Sequence, residues 1–251
     1  MNSGTIYIHI KNKVATITFF HPSSNSFPSE MLQRLIDKIN RAGENPEVKV
    51  IILQSEGEKT FCAGASFDEL LTLDSLEDSQ QFFSGFANLI NAMRKCPKLI
   101  IGRIQGKAVG GGVGIIAATD YCFATENADI KLSEFSIGIG PFVIAPAVER
   151  KIGVSALSEL TIDATNWKTA YWAKDKGLYA KVFEYSRDMD EAIDILTKNL
   201  SGYSLEAMVE MKKIMWNNTN HWDKLLYHNA EISGRLVLSE FTKNALKKFK
   251  K

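Results

Sequence analysis

Two short apolar runs, Val48–Gln54 and Leu99–Ile104, each lead through a loop of small residues into a helical stretch. Helix and strand in alternation, with strands apolar along their whole length, predict βαβ units on a buried parallel sheet. The first run is followed by a glycine-containing loop and a helix from about Ser79 to Arg94. The second is followed by the glycine-rich stretch Gly106–Gly114 and an apolar segment to Ala118. Tyr7–Ile10 and Val14–Phe19 predict a hairpin ahead of them, because both runs are alternating or β-branched around Lys11–Asn12–Lys13. Met31, Leu35 and Ile39 recur every four residues and predict a helix over 28–42 opened by Pro28 and Ser29. Asp120–Thr125 and Ile130–Leu132 read as further strands. From Ser155 onward the chain reads as helix: Ser155–Leu160, Trp167–Lys176, Asp190–Leu200, Leu205–Asn217 and a last stretch ending near Lys248.

Three loops carry the candidate chemistry. In Phe61–Cys62–Ala63–Gly64–Ala65–Ser66–Phe67–Asp68 the small residues let a ligand approach the backbone, and a strand-to-helix junction leaves N–H groups free. Gly110–Gly111–Gly112 has the same logic. Together two such loops can aim two N–H groups at one carbonyl oxygen, as an oxyanion site requires. The glycine run lacks the lysine and hydroxyl residue of a P-loop and the spacing of a dinucleotide site. In the third loop, Ser133–Glu134–Phe135–Ser136–Ile137–Gly138, Glu134 is a lone acid among apolar neighbours. Such a setting raises a carboxylate's basicity and suits proton transfer.

In this order and spacing the three loops, with Pro22-x-x-Asn25 before them and Asp120 after the glycines, resemble the crotonase (enoyl-CoA hydratase/isomerase) superfamily over nearly the whole chain. The resemblance implies an α/β, crotonase-like ββα-superhelix core over residues 1–198 and a C-terminal α-helical trimerisation region over 199–251. It implies an acyl-CoA substrate, a homotrimer or pair of trimers, and no cofactor beyond the coenzyme A of the substrate. It assigns the oxyanion N–H groups to Ala65 and Gly111 and the catalytic carboxylate to Glu134. Family hydratases commonly carry a first acid where this chain has Gly114, and aspartate often follows directly where this chain has Ser66.

The run Ile137–Pro146, with Gly111–Gly114, is similar to the methylglutaconyl-CoA and isohexenylglutaconyl-CoA hydratase branch, so the expected reaction is hydration of an enoyl-CoA, 3-methylglutaconyl-CoA among the candidates. Δ3,Δ2-Enoyl-CoA isomerases resemble the chain in keeping one glutamate, and an inactive CoA-binding scaffold stands as the alternative of another class. Phe142 stands where a dienoyl-CoA isomerase would carry an aspartate.

The CoA-binding candidates are Ser24, Ser26, Lys59 and Ala63, and the helix after Asp68 with Phe82, Phe83 and Phe86 is expected to set the acyl pocket. Lys243, Lys247, Lys248, Lys250 and Lys251 crowd nine residues, either as a solvated helix end or as a phosphate contact. A formal net charge of +1 gives no footprint for a nucleic acid. Cys62, Cys96 and Cys122 have no metal or CxxC spacing and read as reduced thiols, which with no secretory leader or membrane-length apolar run makes a cytoplasmic protein the expectation. No metal site is expected: His221 and His228 are seven residues apart, and His9 and His21 read as strand and loop residues. Met31, Met208, Met211 and Met215 are expected as core fillers.

Overall fold

The computed structural model describes residues 4–248. Strands β1 (Thr5–Lys11) and β2 (Val14–Phe20) form the expected hairpin. Its two-residue turn puts Asn12 and Lys13 at φ 51° and 66°, the left-handed backbone that matches strand twist in tight hairpins. Helix α1 (Ser29–Glu44) lays Met31, Leu32, Leu35 and Ile39 against the core.

A strand–strand–helix unit then recurs three times. Strand β3 (Val50–Ser55) lies in the large sheet, and β4 (Thr60–Cys62) leaves it for a second sheet before α2 (Phe67–Leu70) and α3 (Leu76–Lys95). Likewise β5 (Leu99–Ile104) and β6 (Lys107–Val109) precede α4 (Gly111–Ala118), and β7 (Tyr121–Thr125) and β8 (Ile130–Lys131) precede α5 (Ala145–Ile162) and α6 (Ala170–Asp175). Strand β9 (Lys181–Phe183) completes a six-stranded sheet of order β1-β2-β3-β5-β7-β9, parallel from β2 onward, beside a parallel three-stranded sheet β4-β6-β8. The chain closes with α7 (Ser186–Gly202), α8 (Leu205–Met215), α9 (Trp222–Val237) and α10 (Glu240–Lys248). The expected division at residue 198 falls within α7. Lys250 and Lys251 lie outside the described residues.

Three expectations need correction. β4, β6 and β9 span three residues each, too few for a period-2 signal, and nothing in the sequence marks them as strands. Helix α5 starts at Ala145, not Ser155, with Pro146 in its first turn where a missing N–H costs nothing; Gly153, at φ 76°, kinks it and hides its first half. Met211 is half exposed, whereas Met31 and Met208 are buried.

Lys212, on the same helix α8 as Met211, is buried. Its ammonium meets Asp120 Oδ2 at 2.8 Å, Met93 O at 3.0 Å and Lys98 O at 2.8 Å, so all three donors are used. Asp120 also accepts from Ile100 N and Trp216 Nε1. This hub pins α8 to the carboxyl side of α4. None of the described helices is long and apolar enough to cross a membrane.

Candidate active site

The end of the small sheet delivers all three loops to one place. Gly110 N donates to Lys131 O, tying the glycine turn to the strand that leads to Glu134. Gly64, at φ 87°, packs so closely that a Cβ there would stand 2.8 Å from Val109 O and 3.2 Å from Gly111 N. Only glycine permits both the backbone angle and that approach. Ala63, Gly64, Ala65, Gly110, Gly111 and Glu134 thus line one cavity of about 150 Å³.

Ala65 is held by its neighbours. Phe27 N donates to Gly64 O at 2.8 Å and Ser66 N donates to Phe27 O at 3.0 Å, a parallel bridge in which the intervening Ala65 N–H must point the other way. Gly111 is the first residue of α4, whose first free N–H groups have no helical acceptor. Neither N–H finds a partner among the described residues. Ser66, where aspartate is the common residue, caps α2 by accepting from Glu69 N at 3.3 Å, which an aspartate would do equally.

Glu134 opens a 3₁₀ turn (Glu134–Ile137) directly after β8. The turn ends at Gly138, φ 85°, whose N–H returns to Glu134 O and Phe135 O. A Cβ at Gly138 would stand 2.6 Å from Thr242 Oγ1 of α10, so the Glu-x-x-x-Gly spacing reflects a left-handed stop under a packed helix. Glu134 Oε2 is buried without a hydrogen-bond partner. Desolvation pushes its pKa up to about 7, against a small opposing pull from its own backbone N–H. Gly110, at φ 52°, leaves room for this carboxylate: a Cβ there would be 2.8 Å from Oε1.

The remaining wall is apolar: Phe67, Leu70, Phe83, Phe86, Ile139 and Phe142 among others, with the hydroxyl residues Ser133 and Ser233, and no lysine, arginine or histidine among the described residues. Phe83 and Phe86 line the cavity as expected, whereas Phe82 is buried outside the lining in a cluster with Val237 and Leu246. The space beside Gly114, where the resemblance leads one to expect a first acid, is filled. A Cβ on Gly114 would meet Ile144 Cβ at 2.6 Å. Ile144 belongs to the run Ile137–Pro146, but no local pattern in the sequence signals that contact.

Of the CoA candidates, only Ala63 reaches the cavity. Ser24 takes φ 54° and its carbonyl accepts from Ala63 N at 3.1 Å. Ser26 is buried with Oγ 3.4 Å from His21 Nδ1, and Lys59 is exposed away from the cavity lining. Asn25 explains the Pro22-x-x-Asn25 element. Its amide donates to Glu56 O and Thr60 O, both at 2.9 Å, and its oxygen accepts from His21 N. Cys62 beneath the loop is buried, and desolvation raises its thiol to about 12, which keeps it protonated.

A two-sheet α/β superhelix with its strand–loop–helix junctions gathered around one buried carboxylate defines the crotonase class of enzymes. Residues 9–250 match the family Enoyl-CoA hydratase/isomerase, and the chain belongs to that family. It is 28% identical over 251 residues to a short-chain-enoyl-CoA hydratase of Clostridium acetobutylicum, covering 99% of this chain and 95% of the relative. It is 28% identical over 187 residues to a peroxisomal Delta(3,5)-Delta(2,4)-dienoyl-CoA isomerase of Arabidopsis thaliana, covering 68% and 66% of the two chains. The crystal structure of an enoyl-CoA hydratase from Bacillus halodurans shares the fold with a TM-score of 0.90 at 21% identity, over 97% of this chain and 99% of that one.

Proposed function

We propose that the chain adds water reversibly across the double bond of an α,β-unsaturated acyl-CoA. The observation that carries this is the buried, unpartnered Glu134 Oε2 beside the free N–H groups of Ala65 and Gly111. Those two donors hold the thioester carbonyl oxygen as negative charge develops on it. Water oxygen bonds to the β-carbon, the double-bond electrons move into the thioester enolate, and Glu134 receives the proton that water loses. Glu134 then gives that proton to the α-carbon, leaving H and OH on the same face. A group titrating near 7 can both take and return a proton at neutral pH. No cofactor enters this scheme. The full-length relative of Clostridium acetobutylicum, named a hydratase, supports the same reading.

Isomerisation of a β,γ-enoyl-CoA to its α,β isomer is the second reading, and Ile144 against Gly114 favours it. With no second acid to hold water, Glu134 would carry one proton from the α-carbon to the γ-carbon. Mass spectrometry of products from crotonyl-CoA, a straight-chain 3-enoyl-CoA and 3-methylglutaconyl-CoA decides between them, with Glu134→Gln as control. A product heavier by one water and absent with the variant supports hydration. Unchanged mass with a new conjugated-thioester absorbance overturns it in favour of the isomerase. Among the described residues the cavity lining offers no cation to the second carboxylate of 3-methylglutaconyl-CoA, so that substrate is expected to turn over more slowly than crotonyl-CoA.

Assembly into a trimer or pair of trimers belongs to the same proposal. The exposed Met211 and Ile214 on α8 and Val154 and Ile162 on α5 support it, and sedimentation velocity tests it.

A further inference from the structure

Helix α1 begins without a cap of its own. Its N-cap residue is Pro28, which has no side-chain acceptor, and no side-chain cap bond forms there. The acceptor comes instead from α2: Glu69 Oε2 takes the N–H of Ser29 at 2.8 Å, forty residues away in sequence.

The reason lies in Ser66 and Glu69. Their spacing is that of a capping box, in which the serine oxygen takes the N–H of the glutamate and the glutamate turns back to the N–H of the serine. The first half is present, Glu69 N to Ser66 Oγ. The second half is blocked, because Ser66 N is already given to Phe27 O. The carboxylate of Glu69 is therefore available to reach across to α1.

Two segments, Phe27–Ser29 and Gly64–Glu69, are thus joined at three points: Phe27 N to Gly64 O, Ser66 N to Phe27 O, and Ser29 N to Glu69 Oε2. The first two flank Ala65. The third is the one made by a side chain, and it fixes the far end of the short helix α2, which presents Phe67 and Leu70 to the cavity. Ala65 sits inside the bridge, and Ser66, whose N–H makes the second bridge bond, is also the cap of α2, so a rotation of α2 would pull on that bond and turn the Ala65 N–H off the substrate oxygen.

We infer that Glu69 is a positioning residue that aims the Ala65 N–H, acting through α2 and without contact to substrate. This rests on the assignment of Ala65 and Gly111 as the donors to the thioester carbonyl. The experiment uses para-dimethylaminocinnamoyl-CoA, whose absorption moves to the red in proportion to the polarisation of its carbonyl, bound to the full-length wild-type protein, Glu69→Ala and Glu69→Gln.

The expected result is a red shift with wild type, a clearly smaller shift with Glu69→Ala at saturating ligand, and restoration by Glu69→Gln, whose amide oxygen can still accept from Ser29 N. Turnover of the best substrate should change in parallel, with kcat down about tenfold or more in Glu69→Ala and KM little changed. A full red shift in Glu69→Ala, even with a lowered melting temperature, overturns the inference while leaving the donor assignment standing. Absence of any shift in wild type overturns both. If Glu69→Ala does not fold, Ser29→Pro, which removes the N–H that Glu69 holds at a first-turn position where proline is tolerated, is read in its place: a reduced shift supports the inference, and a wild-type shift overturns it.

Discussion

Ile144 stands where a side chain on Gly114 would have to go, its Cβ 2.6 Å from the position of a Cβ there. Gly114 and Ile144 therefore share one space, which only one side chain can occupy. Gly114→Glu alone is expected to overpack the site, with a stability loss of about 1–3 kcal/mol or more and no gain of rate. Pairing it with Ile144→Ala should relieve the clash and recover stability relative to the single variant. Urea denaturation of both variants checks this.

Replacing Glu134 by Gln removes the one carboxylate that the described residues bring to the cavity while keeping its shape. Turnover should fall by roughly a thousandfold or more, since general acid–base transfer contributes about 10²–10⁴. Acyl-CoA binding, measured by calorimetry, should change little.

The pH dependence has a fixed sign. Glu134 has a folded pKa of about 7 against an ordinary value of 4.5, so the folded state holds a proton that the unfolded chain has released. The stabilisation is full below the unfolded value and is lost as pH rises toward 7, on the order of 3 kcal/mol in all. Glu134→Gln should therefore be more stable than wild type at pH 8, with the difference vanishing near pH 4. For water addition from the carboxylate form, kcat/KM should rise through one ionisation near 7.

Gly110 combines a left-handed φ of 52° with a Cβ position 2.8 Å from Glu134 Oε1. Gly110→Ala is expected to cost about 1–2 kcal/mol of strain and to displace the carboxylate. Its kcat should drop more than its ligand affinity, as single-turnover kinetics would show.

Lys212 and Asp120 form a buried pair with side chains 4% and 3% exposed. Lys212→Met leaves Asp120 charged without its cation and should lose about 3–5 kcal/mol. Thermal denaturation measures it, and residual activity at low temperature should persist because the pair lies outside the cavity lining.

Elements with strong local signals are readable from the residues alone. The hairpin, α1, β3 and β5 follow from alternation, four-residue periodicity and unbroken apolar runs, because each period reports directly which face a side chain occupies. The three loops stand out by their glycines and by Glu134 as a lone acid among apolar residues, whereas the roles of Ala65, Gly111 and Glu134 come from the resemblance to the family and not from any local pattern. The three-residue strands and the first half of α5 are not readable, since a short strand has no period and Gly153 interrupts the helical one. Folding in three dimensions was needed to place Ile144 against Gly114, to bury Lys212 while leaving Met211 of the same helix half exposed, and to bring Glu69 to a helix start forty residues away. These are contacts between segments distant in sequence, and their energy comes from desolvation and close packing, which exist only once the chain has closed on itself.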